Sequence, residues 1–258
     1  MSDQYYIYTV LNHAYMKFGK LWLNSMHDNV DMSKVKGIFI VDTGLFKEDC
    51  EELRKYEKIK ILKSDIDFKD TSDVNKGSSI WLQHVLKKTE FLYKILCSNK
   101  NNLPIVMIDN DCMFLQDFSD VIDNKYDIQV CLRSYHKKEP SWIASFFVIN
   151  DINKGKLFLE LWIQEIRNLR LTNPERGWFE SHALNLLVNK LIQQQVKQIN
   201  IGNVETKIVS CERPEQYDKE KTKIVHFKGK TDKTNIPNRL KRFPFEYIIR
   251  KIREYTNE

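Results

Sequence analysis

PIVMIDND, residues 104–111, decides the fold. The whole stretch reads as a buried strand, a short apolar run from Ile105 to Ile108 entered from Pro104 and ending abruptly in Asp109-Asn110-Asp111. Open α/β sheets place ligands at the carboxyl ends of such strands. Two aspartates at i and i+2 can share one cation where extended backbone gives way to a turn. Asp-x-Asp alone is weak, since Asp65-Ile66-Asp67 is a second copy, and an arbitrary Asp-x-Asp is far more often a polar strand end or Asx-turn. Here Met113-Phe114 follows, which embeds the motif in core, where a carboxylate pair needs a counter-charge.

Working outward, strand-length apolar runs alternate with segments of helical period. YYIYTVL (5–11) reads as a first strand, KGIFIVD (36–42) as a second and KIKILKS (58–64) as a third. Between them KFGKLWLNSM (17–26) lines up Phe18, Leu21, Trp22, Ser25 and Met26 on one helical stripe, and KEDCEELRKYEK (47–58) reads as an exposed helix. A polar loop (65–79) leads to a helix from Trp81 to Asn99 with Leu82, Val85, Leu86, Phe91, Leu92, Ile95 and Leu96 as its core face. Strands are expected at 127–134, 141–151 and 223–229, and helices at 155–169 and 179–195. The alternation predicts βαβ units around a largely parallel sheet.

Composition supports a folded enzyme-like globule: 258 residues, 42% apolar and 29% charged, with a net charge of +6 that favours anions without demanding nucleic acid. The five cysteines, Cys50, Cys97, Cys112, Cys131 and Cys211, are odd in number and include no Cys-x-x-Cys pair, against a disulfide framework or a structural zinc site. A reducing cytosol fits best. The N-terminal stretch lacks the basic and apolar regions of a signal peptide, and no segment approaches the roughly 20 apolar residues that span a bilayer. The expected protein is soluble and cytoplasmic, or peripheral on the inner face of a membrane.

LPIVMIDNDCMFLQDFSDVID resembles the signature segment of retaining GT-A glycosyltransferases, the group of glycogenin and the bacterial lipooligosaccharide galactosyltransferases. Further stretches are similar in the family's order, covering most of 5–230. YTVLNHAYMKFGKLWLNSM looks like its first strand and loop, which implies Asn12 and Tyr15, with Thr9 nearby, as contacts to the nucleotide base. KKTEFLYKIL resembles the helix whose basic residue approaches the diphosphate, here Lys87 or Lys88. SWIASFFVIND departs from the usual Asn-x-Gly with Ala144-Ser145, and ESHALNLLV resembles an Asp-Gln-x-Ala-Leu-Asn segment with Glu180-Ser181 in place of the acid and amide. Glu180 and His182 are the functional candidates there; Ala183, Leu184 and Asn185 read as helix packing. KIVHFKGK looks like the C-terminal His-x-x-Gly segment, which implies His226 as a metal ligand, Gly229 as a close backbone approach and Lys230 as a phosphate contact.

The resemblance implies a Rossmann-like GT-A fold, a mixed, mostly parallel sheet flanked by helices, over residues 1–235. It further implies a nucleoside-diphosphate sugar donor, commonly a UDP-sugar, transferred with retention to a glycan, glycolipid or protein acceptor. Mn²⁺ or Mg²⁺ would be held by Asp109, Asp111 and His226, with Asp109 shared with the ribose and Asn110 beside the nucleotide. Glu180 is the candidate stabiliser of an oxocarbenium-like centre; a first-turn glutamate facing solvent is the plain alternative.

Residues 236–258 are a basic amphipathic tail. Arg239, Lys241, Arg242, Arg250, Lys251 and Arg253 alternate with Phe243, Phe245, Tyr247, Ile248, Ile249 and Ile252. Such a tail can pack on the domain or lie on an anionic membrane. Rival readings are a nucleotidyltransferase, for which a Gly-rich phosphate loop is lacking, a metal nuclease or nucleic-acid-binding module, which leaves the embedded Asp109-Asn110-Asp111 unexplained, and a non-catalytic glycan-binding relative.

Overall fold

Tyr5–Leu11 is buried at every position, as expected of an inner strand covered on both faces. The computed structural model describes residues 4–65, 79–133, 141–172, 179–193, 199–204, 208–210, 217–227 and 246–256. In chain order the elements are β1 (Tyr5–Leu11), α1 (Met16–Asn29), β2 (Val35–Asp42), α2 (Lys47–Leu53), β3 (Ile59–Lys63), α3 (Ser79–Ser98), β4 (Ile105–Ile108) and β5 (Cys112–Phe114). There follow β6 (Ile128–Arg133), β7 (Ser141–Ile149), α4 (Ile152–Thr172), α5 (Phe179–Gln193), β8 (Ile201–Asn203), β9 (Ile208–Ser210), β10 (Ile224–His226) and α6 (Glu246–Thr256).

A seven-stranded sheet has the order β3-β2-β1-β4-β7-β6-β8, and a three-stranded sheet has the order β5-β10-β9. β1 with β4, β2 with β3 and β6 with β8 are parallel, whereas β6 with β7 is antiparallel with a bulge at Val130/Cys131. This is the mixed, mostly parallel sheet that the alternation predicts. Contacts divide the chain into two compact units whose boundary passes through β1 and β4.

The first unit comprises Met1–Tyr8, Asp73–Met107 and Ile122–Glu205. Its helix α4 buries Ile152, Gly155, Phe158, Leu159, Trp162, Ile163, Ile166 and Leu169, a stripe of helical period. Phe158 and Trp162 set their rings 5.4 and 5.8 Å from that of Phe147 on β7. α3 buries Phe91, Leu92, Ile95 and Leu96, leaves Leu86 half-buried, and carries Leu82 and Val85 outside the described side chains. Asn185 on α5 does more than pack: its amide accepts from Trp142 N–H (2.8 Å) and donates to Trp142 C=O (2.7 Å), doing for β7 what a neighbouring strand would do.

The second unit comprises Thr9–Ser72, Ile108–Val121 and Thr206–Glu258. Its core joins Phe18 and Leu21 of α1, Met113 of β5, Val225 of β10, Phe227, and Ile252 and Tyr255 of α6. The buried Ser25 accepts Phe114 N–H at 3.1 Å and so ties α1 to β5. α6 is the described part of the basic tail, and it is packed on α1. Tyr255 donates to Asp28 (2.8 Å), and its carbonyl accepts from Asn24 (3.0 Å). Arg239, Lys241, Arg242, Phe243 and Phe245 lie outside the described residues.

Three expected spans change. α2 stops at Leu53 instead of 58, where i→i−3 bonds from Lys55 N–H to the Glu52 carbonyl and from Tyr56 N–H to the Leu53 carbonyl, both 3.2 Å, replace the helical ladder; further on, Lys58 adopts a left-handed φ of 63° and its carbonyl accepts Ile38 N–H at 2.9 Å to start β3. β4 stops at Ile108, before the carboxylates. β5, which had read only as a hydrophobic pair, is a strand because β10 pairs with it. Among the described residues no helix is long and apolar enough to cross a membrane.

Gly155 lets α4 approach β7: a Cβ there would stand 2.3 Å from Ile149 Cγ2 and 3.3 Å from Leu96 Cδ1. The neighbour is a stub of a β-branched side chain with little freedom to withdraw. Gly155→Ala is expected to be net destabilising, its overpacking cost of about 1–3 kcal/mol exceeding the ~1 kcal/mol gained in helix propensity. A lowered midpoint in denaturant unfolding checks this.

Candidate functional site

The chain after β4 leaves the sheet as a turn. Asn110 folds back, its amide donating to the Val10 carbonyl at the end of β1 (2.5 Å). That bond pins the middle of the turn, and the carboxylates on either side meet the histidine of β10. His226 Nε2 lies 3.2 Å from Asp111 Oδ1 and 3.9 Å from Asp109 Oδ2. The imidazole is buried, with 6% of its side chain exposed, while Asp109 and Asp111 keep 27% and 19%. Strand pairing explains the convergence: β10 is antiparallel to β5 with His226 opposite Cys112, and Phe227 N–H donates to the Asp111 carbonyl at 2.8 Å.

Two carboxylates thus converge on one buried imidazole. The set offers hard oxygen donors and one borderline nitrogen, which fits a divalent cation of the Mn²⁺ or Mg²⁺ kind, the imidazole leaning toward Mn²⁺. Among the described residues His226 Nδ1 has no hydrogen-bond partner. A cluster that sequence reasoning did not assemble also emerges: the ligand atoms of Asp111, Cys112 and His226 lie within 4.8 Å of one another. Cys112 had read as one of several scattered thiols, and only the register of β10 reveals its neighbour.

The expected base contacts belong to the same unit. Thr9 and Asn12 are buried at the end of β1, and Thr9 Oγ1 has no hydrogen-bond partner among the described residues. Asn12 precedes a one-turn 3-10 helix, His13–Tyr15, and its carbonyl accepts Tyr15 N–H at 3.1 Å. Tyr15 is half-buried, its ring 6.1 Å from Phe18 and packed on the core. Beside it His13 Nδ1 is 2.8 Å from Asp49 Oδ2, and its ring is 4.2 Å from that of Phe46. Gly229 and Lys230 lie outside the described residues.

In the first unit Lys88 Nζ and Glu180 Oε1 are 2.6 Å apart, with only 11% and 13% of their side chains exposed. The surface-facing glutamate considered from sequence is not found. Tyr8 donates to the Lys88 carbonyl at 2.6 Å, and burial pushes its phenol well above the usual range, with Lys88 opposing and Glu180 adding. Trp162 Nε1 donates to the Glu180 carbonyl at 3.2 Å, fixing the first turn of α5 on α4. Lys87 pairs instead with Glu90 at 3.3 Å. His182 is half-buried on α5, and Ala144 and Ser145 are buried on β7.

Comparison with solved structures finds the galactosyltransferase LgtC in complex with donor and acceptor sugar analogs, at a TM-score of 0.65 and 10% identity, covering 98% of this chain and 95% of that one. An active-site mutant of LgtC gives 0.64 at 10% identity with the same coverage. The glycosyltransferase GlyE of Streptococcus pneumoniae gives 0.58 at 11% identity, covering 98% of this chain and 63% of that one. At these identities the likeness shows a shared GT-A fold. No curated protein matches the chain in sequence. Residues 47–240, which include Asp109, Asp111 and His226, match the nucleotide-diphospho-sugar transferases. The chain therefore belongs to the nucleotide-diphospho-sugar transferase family and is a glycosyltransferase of GT-A fold.

Proposed function

We propose that the enzyme moves a sugar from a nucleoside-diphosphate donor, a UDP-sugar, to a glycan, glycolipid or protein acceptor, with retention of anomeric configuration and dependence on Mn²⁺ or Mg²⁺. The observation that carries this reading is the convergence of Asp109 and Asp111 on His226 Nε2 at 3.9 and 3.2 Å. The related LgtC, solved with donor and acceptor sugar analogs, supports a two-substrate transfer of this class. Retention and the uridine base rest on the family resemblance.

Asp109, Asp111 and His226 would hold the ion, which when bound supplies a Lewis acid for the charge that collects on the departing diphosphate. Asn110 keeps the turn in place through Val10, so the two carboxylates are set before substrate arrives. Thr9, Asn12 and Tyr15 would bind the nucleoside, with Asp109 also meeting the ribose. Gly229 and Lys230 would meet the phosphates. The resemblance gives Glu180 the part of stabilising the electron-poor anomeric centre. As the ion-pair partner of Lys88 it acts as a carboxylate and not as a proton donor.

Asp111→Asn and His226→Ala should each lower donor hydrolysis and transfer by at least about 10²-fold, the scale on which a single stabiliser of developing charge acts. Thermal unfolding should be little changed. Assays with UDP-, GDP- and CDP-sugars in Mn²⁺ identify the donor; full activity in excess EDTA contradicts the metal reading.

The Lys88–Glu180 pair separates fold from chemistry. Lys88→Met strands a largely buried carboxylate and is expected to destabilise by about 3–5 kcal/mol. The double replacement Lys88→Met/Glu180→Leu should recover most of that loss in denaturant unfolding while remaining inactive. A folded double variant with undiminished transfer would show that Glu180 has no catalytic part.

A further inference from the structure

On the β5–β10 ladder side chains alternate in pairs. Met113 and Val225 face each other and enter the core of the second unit. One residue along, Cys112 and His226 face each other on the opposite side of the same ladder. Asp111 lies in the turn that precedes β5, so strand alternation does not carry its carboxylate away from that side. All three ligand atoms consequently lie within 4.8 Å of one another, and the nitrogen–oxygen pair is already at 3.2 Å. A tetrahedral zinc ion, with ligands at about 2.0–2.3 Å, needs its nitrogen and oxygen ligands roughly 3.3 Å apart.

The chemistry of this trio differs from that of the carboxylates with His226. Oxygen donors with one imidazole suit Mn²⁺ or Mg²⁺, whereas a thiolate added to oxygen and nitrogen suits Zn²⁺ or Co²⁺, and zinc also outranks manganese in intrinsic affinity for such donors. We propose that Asp111, Cys112 and His226 form a second, thiolate-containing binding mode for a thiophilic divalent cation, Zn²⁺ in kind. It shares two ligands with the Mn²⁺ mode, and the two occupancies exclude each other. The inference rests on the reading of Asp111 and His226 as cation ligands. On binding, the Cys112 S–H bond breaks, a sulfur–metal bond forms and the proton passes to solvent; no oxidation state changes. Zn²⁺ is then a competitive antagonist of Mn²⁺-supported transfer, and Cys112 is the residue that confers the sensitivity.

The test uses the full chain and its Cys112→Ser variant, titrated with Co²⁺ as an optical probe and, separately, with Mn²⁺ followed by electron paramagnetic resonance. The wild type is expected to develop a thiolate-to-cobalt charge-transfer band that Zn²⁺ abolishes. Cys112→Ser is expected to lose the band, keep Mn²⁺ binding and unfold at the wild-type temperature. The proposal is overturned if the wild type shows no such band, or if the band persists in Cys112→Ser and so belongs to another thiol. A wild-type band without any Mn²⁺ binding supports the thiolate mode and overturns the Mn²⁺ reading above. Should Cys112→Ser fold poorly, Cys112→Ala is read by the same two titrations.

Discussion

β10 lies against β5, and from that pairing the candidate metal centre follows. A strand late in the chain brings a buried imidazole to the turn after β4, and the bond from Phe227 N–H to the Asp111 carbonyl fixes the register there. A slip of one residue would turn His226 into the core and Val225 out toward the carboxylates. Register is held from beneath by Met113, Val225 and Phe227, packed on Phe18 and Leu21 of α1 and on Ile252 and Tyr255 of α6. The last helix of the chain thus supports the ladder that presents the polar residues. Ser25, buried on α1 and accepting Phe114 N–H, is the polar contact that joins helix to ladder.

Much of this was legible residue by residue. The fully apolar runs of β1 and β4 declared inner strands, and the stripe Phe18, Leu21, Trp22, Ser25 and Met26 declared the buried face of α1. Strands made by pairing were not legible: β5, β8 and β9 are three residues each and too short for a period to show. Neither the early end of α2 nor the left-handed turn at Lys58 was announced, lysine being a residue type that does not signal such a turn. For the site, the types and order of Asp109, Asp111 and His226 suggested a common ligand, and their mutual distances come from β10. The Lys88–Glu180 pair and the place of Cys112 could not be foreseen, because both depend on contacts between residues far apart in the chain. The roles of Gly229 and Lys230 remain those implied by the resemblance.

In the proposed function the second unit carries the metal ligands and the nucleoside contacts, at the ends of β1 and β4 and on β10. The first unit carries a largely buried ion pair, Lys88–Glu180, braced by Tyr8 through the Lys88 carbonyl and by Trp162 through the Glu180 carbonyl. Removing one member of such a pair leaves an uncompensated charge away from water, so each side chain depends on the other. The family relationship accounts for the nucleotide-sugar chemistry. Ala144-Ser145 and Ser181 stand where the resemblance expects other residues.

The central claim is that Asp109, Asp111 and His226 bind a divalent ion jointly with a diphosphate. Calorimetric titration of uridine diphosphate into the protein, with and without saturating Mn²⁺, tests it most directly. The account predicts that Mn²⁺ strengthens diphosphate binding, and that diphosphate strengthens Mn²⁺ binding by the same factor, as linkage requires. Equal affinity for uridine diphosphate in the two titrations would contradict it.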